Sequence, residues 1–316
     1  MLSRLGFKRS PRKPYLILGM DHRRPDFHHV YNQVKKHCDA ELITLNKRQL
    51  RRFPELLKKI PLEQYQGVWF DIGFKYMHLA ASEINRCQYA VFYEEDAVQD
   101  SLDDSPWKNQ FSEFYRKVER FTLFTTGISA SQTLSQKGIH SKISIKGYDP
   151  EQIFRDCGIE KTIPAGFIGS MNATVYRERK QLIEYLQAQN ALTYCEPVKY
   201  GKPYRQLLNK IQVFVSADIG LSEYMAKNFE AMACGCVLLA YRQNNGEEDR
   251  LGLIHGENCF LYKDQNEALA ILQMLRSDQN LLKRVASTGK ELAETQFSFD
   301  RIAKDISGAL TSKSQA

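Results

Sequence analysis

The segment IQVFVSADIGLSEYMAKNFEAMACGCVLLAYR, Ile211 to Arg242, decides the fold. Ile211 to Ala217 is an apolar, β-branched run of strand length, and Cys236 to Ala240 is a second. Between them Met225, Phe229 and Met232 recur at helical spacing. Ser222 stands where a helix N-cap belongs, and Cys234-Gly235 closes the segment with a glycine suited to a left-handed turn. Two buried strands joined by one helix form a parallel crossover, hence an open α/β sheet whose ligands lie beyond the carboxyl ends of the strands. Asp218 to Leu221 and the helix start are therefore expected to face a binding crevice.

A helix start offers unpaired N–H groups and a partial positive charge, which hold a diphosphate without a metal. Gly220 lets the backbone approach closely, and Lys227 and Asn228 have the reach for phosphate or sugar oxygens. Glu230 carries a carboxylate able to accept from vicinal ribose hydroxyls. Taken singly, that glutamate also reads as a solvated surface charge, and Met225, Phe229 and Met232 read as core.

NFEAMACGCVLLA, Asn228 to Ala240, resembles the donor-binding segment of the group 1 family of glycosyltransferases, particularly its spore-coat-protein-like branch. The likeness continues through LGLIHGENCFLYKD, Leu251 to Asp264, to the carboxyl end. It is weaker over 85–155, where KGYDPEQIF (Lys146 to Phe154) resembles the close of the family's first domain, and negligible over the first 80 residues. The resemblance implies the GT-B architecture, α/β with two Rossmann-like domains facing a cleft. Residues 1–158 would form the acceptor side and 159–316 the nucleotide-sugar side, with the last helix a candidate to pack back on the first domain. It also implies that Glu230 binds the nucleotide ribose and that the loop Tyr194 to Pro203 lies by the base, where Tyr200 could stack. Many members carry another glutamate eight positions earlier; here that position is Ser222, and Glu223 is displaced by one.

Working outward, Tyr15–Gly19, Glu41–Leu45, Val68–Phe70, Tyr89–Tyr93, Phe121–Thr125 and Lys142–Ile145 read as strands of a first sheet, with helices over Val30–Cys38 and Lys47–Ile60. Acids just past such strands face the crevice edge, so Asp71, Glu95 and Asp96, with His22 after the first strand, are the candidate catalytic bases. Each also reads as a cap or loop residue. A retaining reaction needs none of them, because the leaving phosphate can take the acceptor proton. In the second half, Ala165–Ile168 opens another sheet. Gly169-Ser170 leads to a helix containing Arg177, Arg179 and Lys180, a turn suited to phosphate, with Arg177 as the candidate ligand.

At 316 residues with 43% hydrophobic and 26% charged composition, the chain has room for two ordinary α/β domains. No run approaches the ~18 to 20 apolar residues of a membrane span, and the amino terminus lacks a signal-peptide core, so a cytoplasmic protein is expected. Seven scattered cysteines read as reduced, mostly buried thiols, and the lone C-x-C pair is poor evidence for zinc. No metal or resident cofactor is expected; the nucleotide-sugar donor is a co-substrate. The net charge of +7 is concentrated early, since residues 1–60 hold fifteen Lys or Arg against five acids. That end suggests an anionic partner, either a membrane surface met peripherally at its inner face or a charged glycan, or else a merely solvated surface. MLSRLGF could touch a bilayer through Leu2, Leu5 and Phe7. Nucleic acid is disfavoured, because the basic residues lack interleaved aromatics. The absence of a D-x-D pair argues against a metal-dependent transferase of the other common fold. The expected function is transfer of a sugar from a nucleotide-diphosphate donor to a glycan, lipid-linked or protein acceptor. The rival is a non-catalytic partner or anionic-polymer-binding protein, favoured by Ser222 and opposed by Lys227 and Glu230.

Overall fold

The computed structural model describes residues 13–23, 27–103, 105–172 and 176–312; the amino-terminal MLSRLGF and the tail beyond Ser312 lie outside them. The chain forms two compact units, one running to Ile145 and resuming at Asp300, the other comprising Lys146–Phe299.

The first unit has six strands, the central of them apolar runs buried on both faces. They are β1 (Tyr15–Met20), β2 (Ala40–Leu45), β3 (Gly67–Phe70), β4 (Ala90–Glu94), β5 (Phe121–Thr125) and β6 (Lys142–Ile143). All pair in parallel in the order β2-β1-β3-β4-β5-β6. From β1 the chain moves outward to β2, then returns to the other side of β1, so the direction of winding switches between β1 and β3. Leu18 pairs with Phe70 and Phe70 with Phe92, which brings the carboxyl ends of β1, β3 and β4 nearly level. Alternate residues Leu16, Leu18, Val68, Phe70, Ala90 and Phe92 join Phe53, Phe111 and Phe114 in the core on one face. The helix Phe299–Ser312 contributes buried Ile302, Ile306 and Leu310, and Asp305 accepts from the Ser144 hydroxyl at 2.6 Å.

The second unit repeats the plan with β7 (Ile163–Ile168), β8 (Thr193–Cys195), β9 (Ile211–Val215), β10 (Val237–Tyr241) and β11 (Phe260–Tyr262). Their order is β11-β10-β9-β7-β8, again all parallel, so the switch lies between β7 and β9. The crossover from β9 through the helix Ala226–Ala233 to β10 is the one read from the sequence. Phe229 and Met232 are fully buried.

The differences have local causes. The expected helix Lys47–Ile60 is two short helices, Lys47–Leu50 and Phe53–Leu57, because Pro54 has no N–H for a continuing ladder and instead occupies the second helix's first turn. Lys47, Arg48, Arg51, Arg52, Lys58 and Lys59 on this segment are exposed. Tyr194 and Cys195 belong to the edge strand β8 rather than to a loop; three residues are too few to show a period. The units divide at Ile145 rather than near 158. Residues 146–159 are tied to the second unit by Lys146–Glu223 and by Asn209, which bonds Arg155 and the Asp156 N–H. All seven cysteines are free thiols, and only Cys157 is exposed. No helix among the described residues is long and apolar enough to cross a membrane.

Candidate functional site

Beyond β9 the chain runs Ser216, Ala217, Asp218, and then turns through Gly220 at φ +76° and Ser222 at φ +57°. Gly220 is exposed and its conformation is the left-handed one that glycine takes without strain. The helix does not begin at Ser222. Its first residue is Ala226, Met225 holds the N-cap position without a side-chain cap, and Ser222 lies in the turn with its carbonyl accepting from Asn245 at 2.8 Å. Asp218 does the work expected of a cap. Its Oδ2 accepts from the Met225 N–H at 3.0 Å, the Asn228 amide at 2.8 Å and the Ser216 hydroxyl at 3.1 Å. Asn228, a candidate phosphate or sugar ligand, is thereby committed to the loop. The loop is clamped from β10 as well, for Gln243 donates to the Asp218 carbonyl at 3.0 Å, and Tyr224 to Glu248 at 2.9 Å.

Two cations converge on this switch point. Lys227 Nζ donates to the Ile168 carbonyl at the end of β7, at 3.1 Å. Arg179 Nε donates to the Ala217 carbonyl just past β9, at 3.0 Å, its guanidinium lying 3.5 Å from Asp218 and 3.9 Å above the Tyr176 ring. Arg177, the residue expected to face phosphate, is exposed. Both sit in the first turn of the helix Arg177–Ala188, but positions two apart point to nearly opposite sides. That geometry was the signal for preferring Arg179. Gly169 is buried, with its carbonyl accepting from the Tyr194 hydroxyl at 3.2 Å, and Ser170 is exposed, its hydroxyl accepting from the Asn172 N–H at 3.3 Å.

Glu230 is 1% exposed, which overturns its reading as a solvated charge. Its Oε2 accepts from the Tyr204 hydroxyl at 2.6 Å, and the Tyr200 ring stacks on Tyr204 with centroids 5.7 Å apart. Glu223 is also buried and pairs with Lys146 at 2.8 Å. A cavity of about 190 Å³ lined by Ala165, Val213, Leu272 and Arg276 lies at the amino ends of β7 and β9, the opposite edge from these groups. Ligands of open parallel sheets gather at the carboxyl edge, so the side-chain constellation marks the site.

In the first unit, the strand ends bring together residues far apart in sequence. Arg23, after β1, donates to Asp71 after β3 at 3.1 Å and to Glu95 after β4. The Tyr31 hydroxyl also donates to Asp71, reaching over β1 where a Cβ on Gly19 would stand 2.6 Å from it. Two of the four candidate bases are thus paired with one cation, which stacks 4.1 Å above Phe27. Burial pushes the Asp71 carboxyl upward while Arg23 and Tyr31 pull it down. Glu94, inside the strand end, is raised to about 8 by burial and by nearby Asp96. Asp96 is exposed. His22 is partly exposed, with Nδ1 3.1 Å from Asp21 Oδ1. Arg23 and Tyr31 were missed as site residues, because their shared partner Asp71 lies past another strand.

Residues 171–308 match the family model described as glycosyl transferase-like. The chain has the two-domain GT-B fold. It superposes on Anabaena HepE, solved with UDP-glucose, with a TM-score of 0.66 at 13% identity, covering 94% of this chain and 99% of that one. Sucrose-phosphate synthase from Thermosynechococcus elongatus gives 0.66 at 12% identity over 96% and 99%. The T4 phage β-glucosyltransferase with UDP-glucose gives 0.55 at 10% identity over 94% and 98%. No curated protein sequence matches.

Proposed function

We propose that this protein is a glycosyltransferase that moves a sugar from a nucleoside-diphosphate donor held on the second unit to a glycan, lipid-linked or protein acceptor taken by the first, without a metal ion. The observation that carries this reading is the convergence of Arg179 and Lys227 on the switch point between β7 and β9, beside the open turn at Gly220. The leaving nucleoside diphosphate gains negative charge in the transition state, and two preorganised cations, Lys227 held on a carbonyl and Arg179 on a carbonyl beside Asp218, stabilise that charge without reorganisation. Glu230 is the ribose ligand in this reading. HepE and the T4 enzyme are solved with UDP-glucose, which makes a UDP-sugar the first donor to test.

On the acceptor side, an inverting reaction needs a base. Asp71 and Glu95 share Arg23, whereas Nδ1 of His22 lies 3.1 Å from Asp21 Oδ1, a contact that favours the proton on Nδ1 and leaves Nε2 as the acceptor. We therefore place His22 first among the four candidates. The exposed basic residues of 47–59 support a peripheral site at an anionic inner membrane surface and a role in surface glycan synthesis.

The test is release of nucleoside diphosphate from a panel of nucleotide sugars with glycan acceptors in EDTA. Turnover should persist in the chelator, and His22→Ala should lower kcat by roughly 10²- to 10⁴-fold with donor affinity unchanged. Loss of turnover in EDTA removes metal independence; an unchanged kcat in His22→Ala removes the base.

A further inference from the structure

The helices Lys202–Lys210 and Ala226–Ala233 place Tyr204, 5% exposed, against Glu230, 1% exposed. Their hydroxyl-to-carboxylate distance of 2.6 Å is that of a charge-assisted hydrogen bond. A carboxylate withdrawn from water this far is stable only when its oxygens are paired, and the pairing also fixes the rotation of the carboxyl plane. A glutamate that recognises a vicinal diol must present two acceptors in one plane at a set angle. Tyr204 itself is held on its other side by the Tyr200 ring, 29° from parallel. Both rings come from the segment after β8, so the chain spends two aromatic residues on the direction of one carboxylate.

We propose that Tyr204 is a positioning residue that sets the enzyme's preference for ribose over 2′-deoxyribose donors by holding the Glu230 carboxylate plane. This rests on the donor site described above and adds to it a source of sugar discrimination within the nucleotide. With the hydroxyl in place, loss of the ligand's 2′-OH strands a charged acceptor. With the hydroxyl removed, the carboxylate turns and meets ribose and deoxyribose nucleotides almost alike.

The experiment measures dissociation constants of UDP, GDP and ADP, and of the 2′-deoxy form of whichever binds tightest, for the wild type, Tyr204→Phe, Glu230→Gln and the double variant. Melting without ligand confirms that each variant is folded. In the wild type the deoxy nucleotide should bind about 10- to 100-fold more weakly, the range for a lost hydrogen bond to a charged group. Tyr204→Phe should reduce that ratio to about 3-fold or less, mainly by weakening the ribose nucleotide. In the Glu230→Gln background the same change should have no further effect. A ratio retained in Tyr204→Phe, or losses that add in the double variant, overturns the proposal while leaving the donor site standing. Failure of all three nucleotides to bind overturns the donor site, and the proposal with it.

Discussion

Replacing Asp218 with alanine is expected to lower the melting temperature by roughly 10 °C and to abolish nucleotide binding. Asp218 is 5% exposed, and its carboxylate gathers the Ser216 hydroxyl, the Met225 N–H, the Asn228 amide and the Arg179 guanidinium. Alanine takes the carboxylate acceptor from the Ser216, Met225 and Asn228 donors and the counter-charge from Arg179, which keeps its bond to the Ala217 carbonyl. Breaking one side of a buried charged network costs about 3–5 kcal/mol, and each kcal/mol is worth about 2–4 °C in a domain of this size. The loop from Asp218 to Met225 holds the helix start and the switch point together, so affinity falls with stability. Asp218→Asn keeps the shape but turns an amide NH₂ toward donors, and should fall between the two. Thermal melts and calorimetric titration of the three proteins check this. A change below about 1 kcal/mol in Asp218→Ala would mean that the loop is held by other contacts.

The second large effect is expected from Arg23→Met, which takes the cation from between Asp71 and Glu95. The loss should again be about 3–5 kcal/mol near neutral pH, because Asp71 is 4% exposed. Its dependence on pH has a definite sign. In the wild type Arg23 opposes the upward push of burial on Asp71; without it, the carboxyl moves further up in the folded protein. A carboxyl whose folded value exceeds its unfolded one stabilises the fold below the unfolded value, and that contribution is lost as pH rises through the folded value. The deficit of Arg23→Met should therefore be largest at about pH 8 and shrink toward about pH 5. Glu94, raised to about 8 by burial and by Asp96, is also held down by Arg23, so its carboxyl moves further up in Arg23→Met and adds to the deficit with the same sign. Denaturant titrations across that range measure it, and a deficit that grows toward acid contradicts the assigned role of Arg23.

What the sequence disclosed follows from what its residues must do alone. Ile211–Val215 and Val237–Tyr241 stand out because central parallel strands bury both faces and read as unbroken apolar runs. The places of Lys227, Glu230 and Gly220 near the carboxyl edge follow from that crossover. Partnerships across strands were not legible. Arg23 meets residues 48 and 72 positions away, and Tyr204 meets Glu230 across 26. Each such contact depends on strand order, which local periodicity does not encode. The misplaced helix start has the same origin: Ser222 satisfies the local rule for a cap, but Asp218, buried between β9 and the helix, supplies the acceptor. Arg177 and Arg179 were separable only once the helix phase was fixed by the buried Leu182, Ile183 and Leu186.

The most direct test of the central claim, a metal-independent nucleotide site on the carboxyl edge of the β7–β11 sheet, is a thermal-shift panel of UDP, GDP, ADP and CMP in EDTA with Glu230→Ala alongside. The expected result is stabilisation by one nucleoside diphosphate, about 2.7 kcal/mol at roughly 100 times its dissociation constant, and loss of that shift in Glu230→Ala. No shift with any of the four, or an equal shift in the variant, would contradict it.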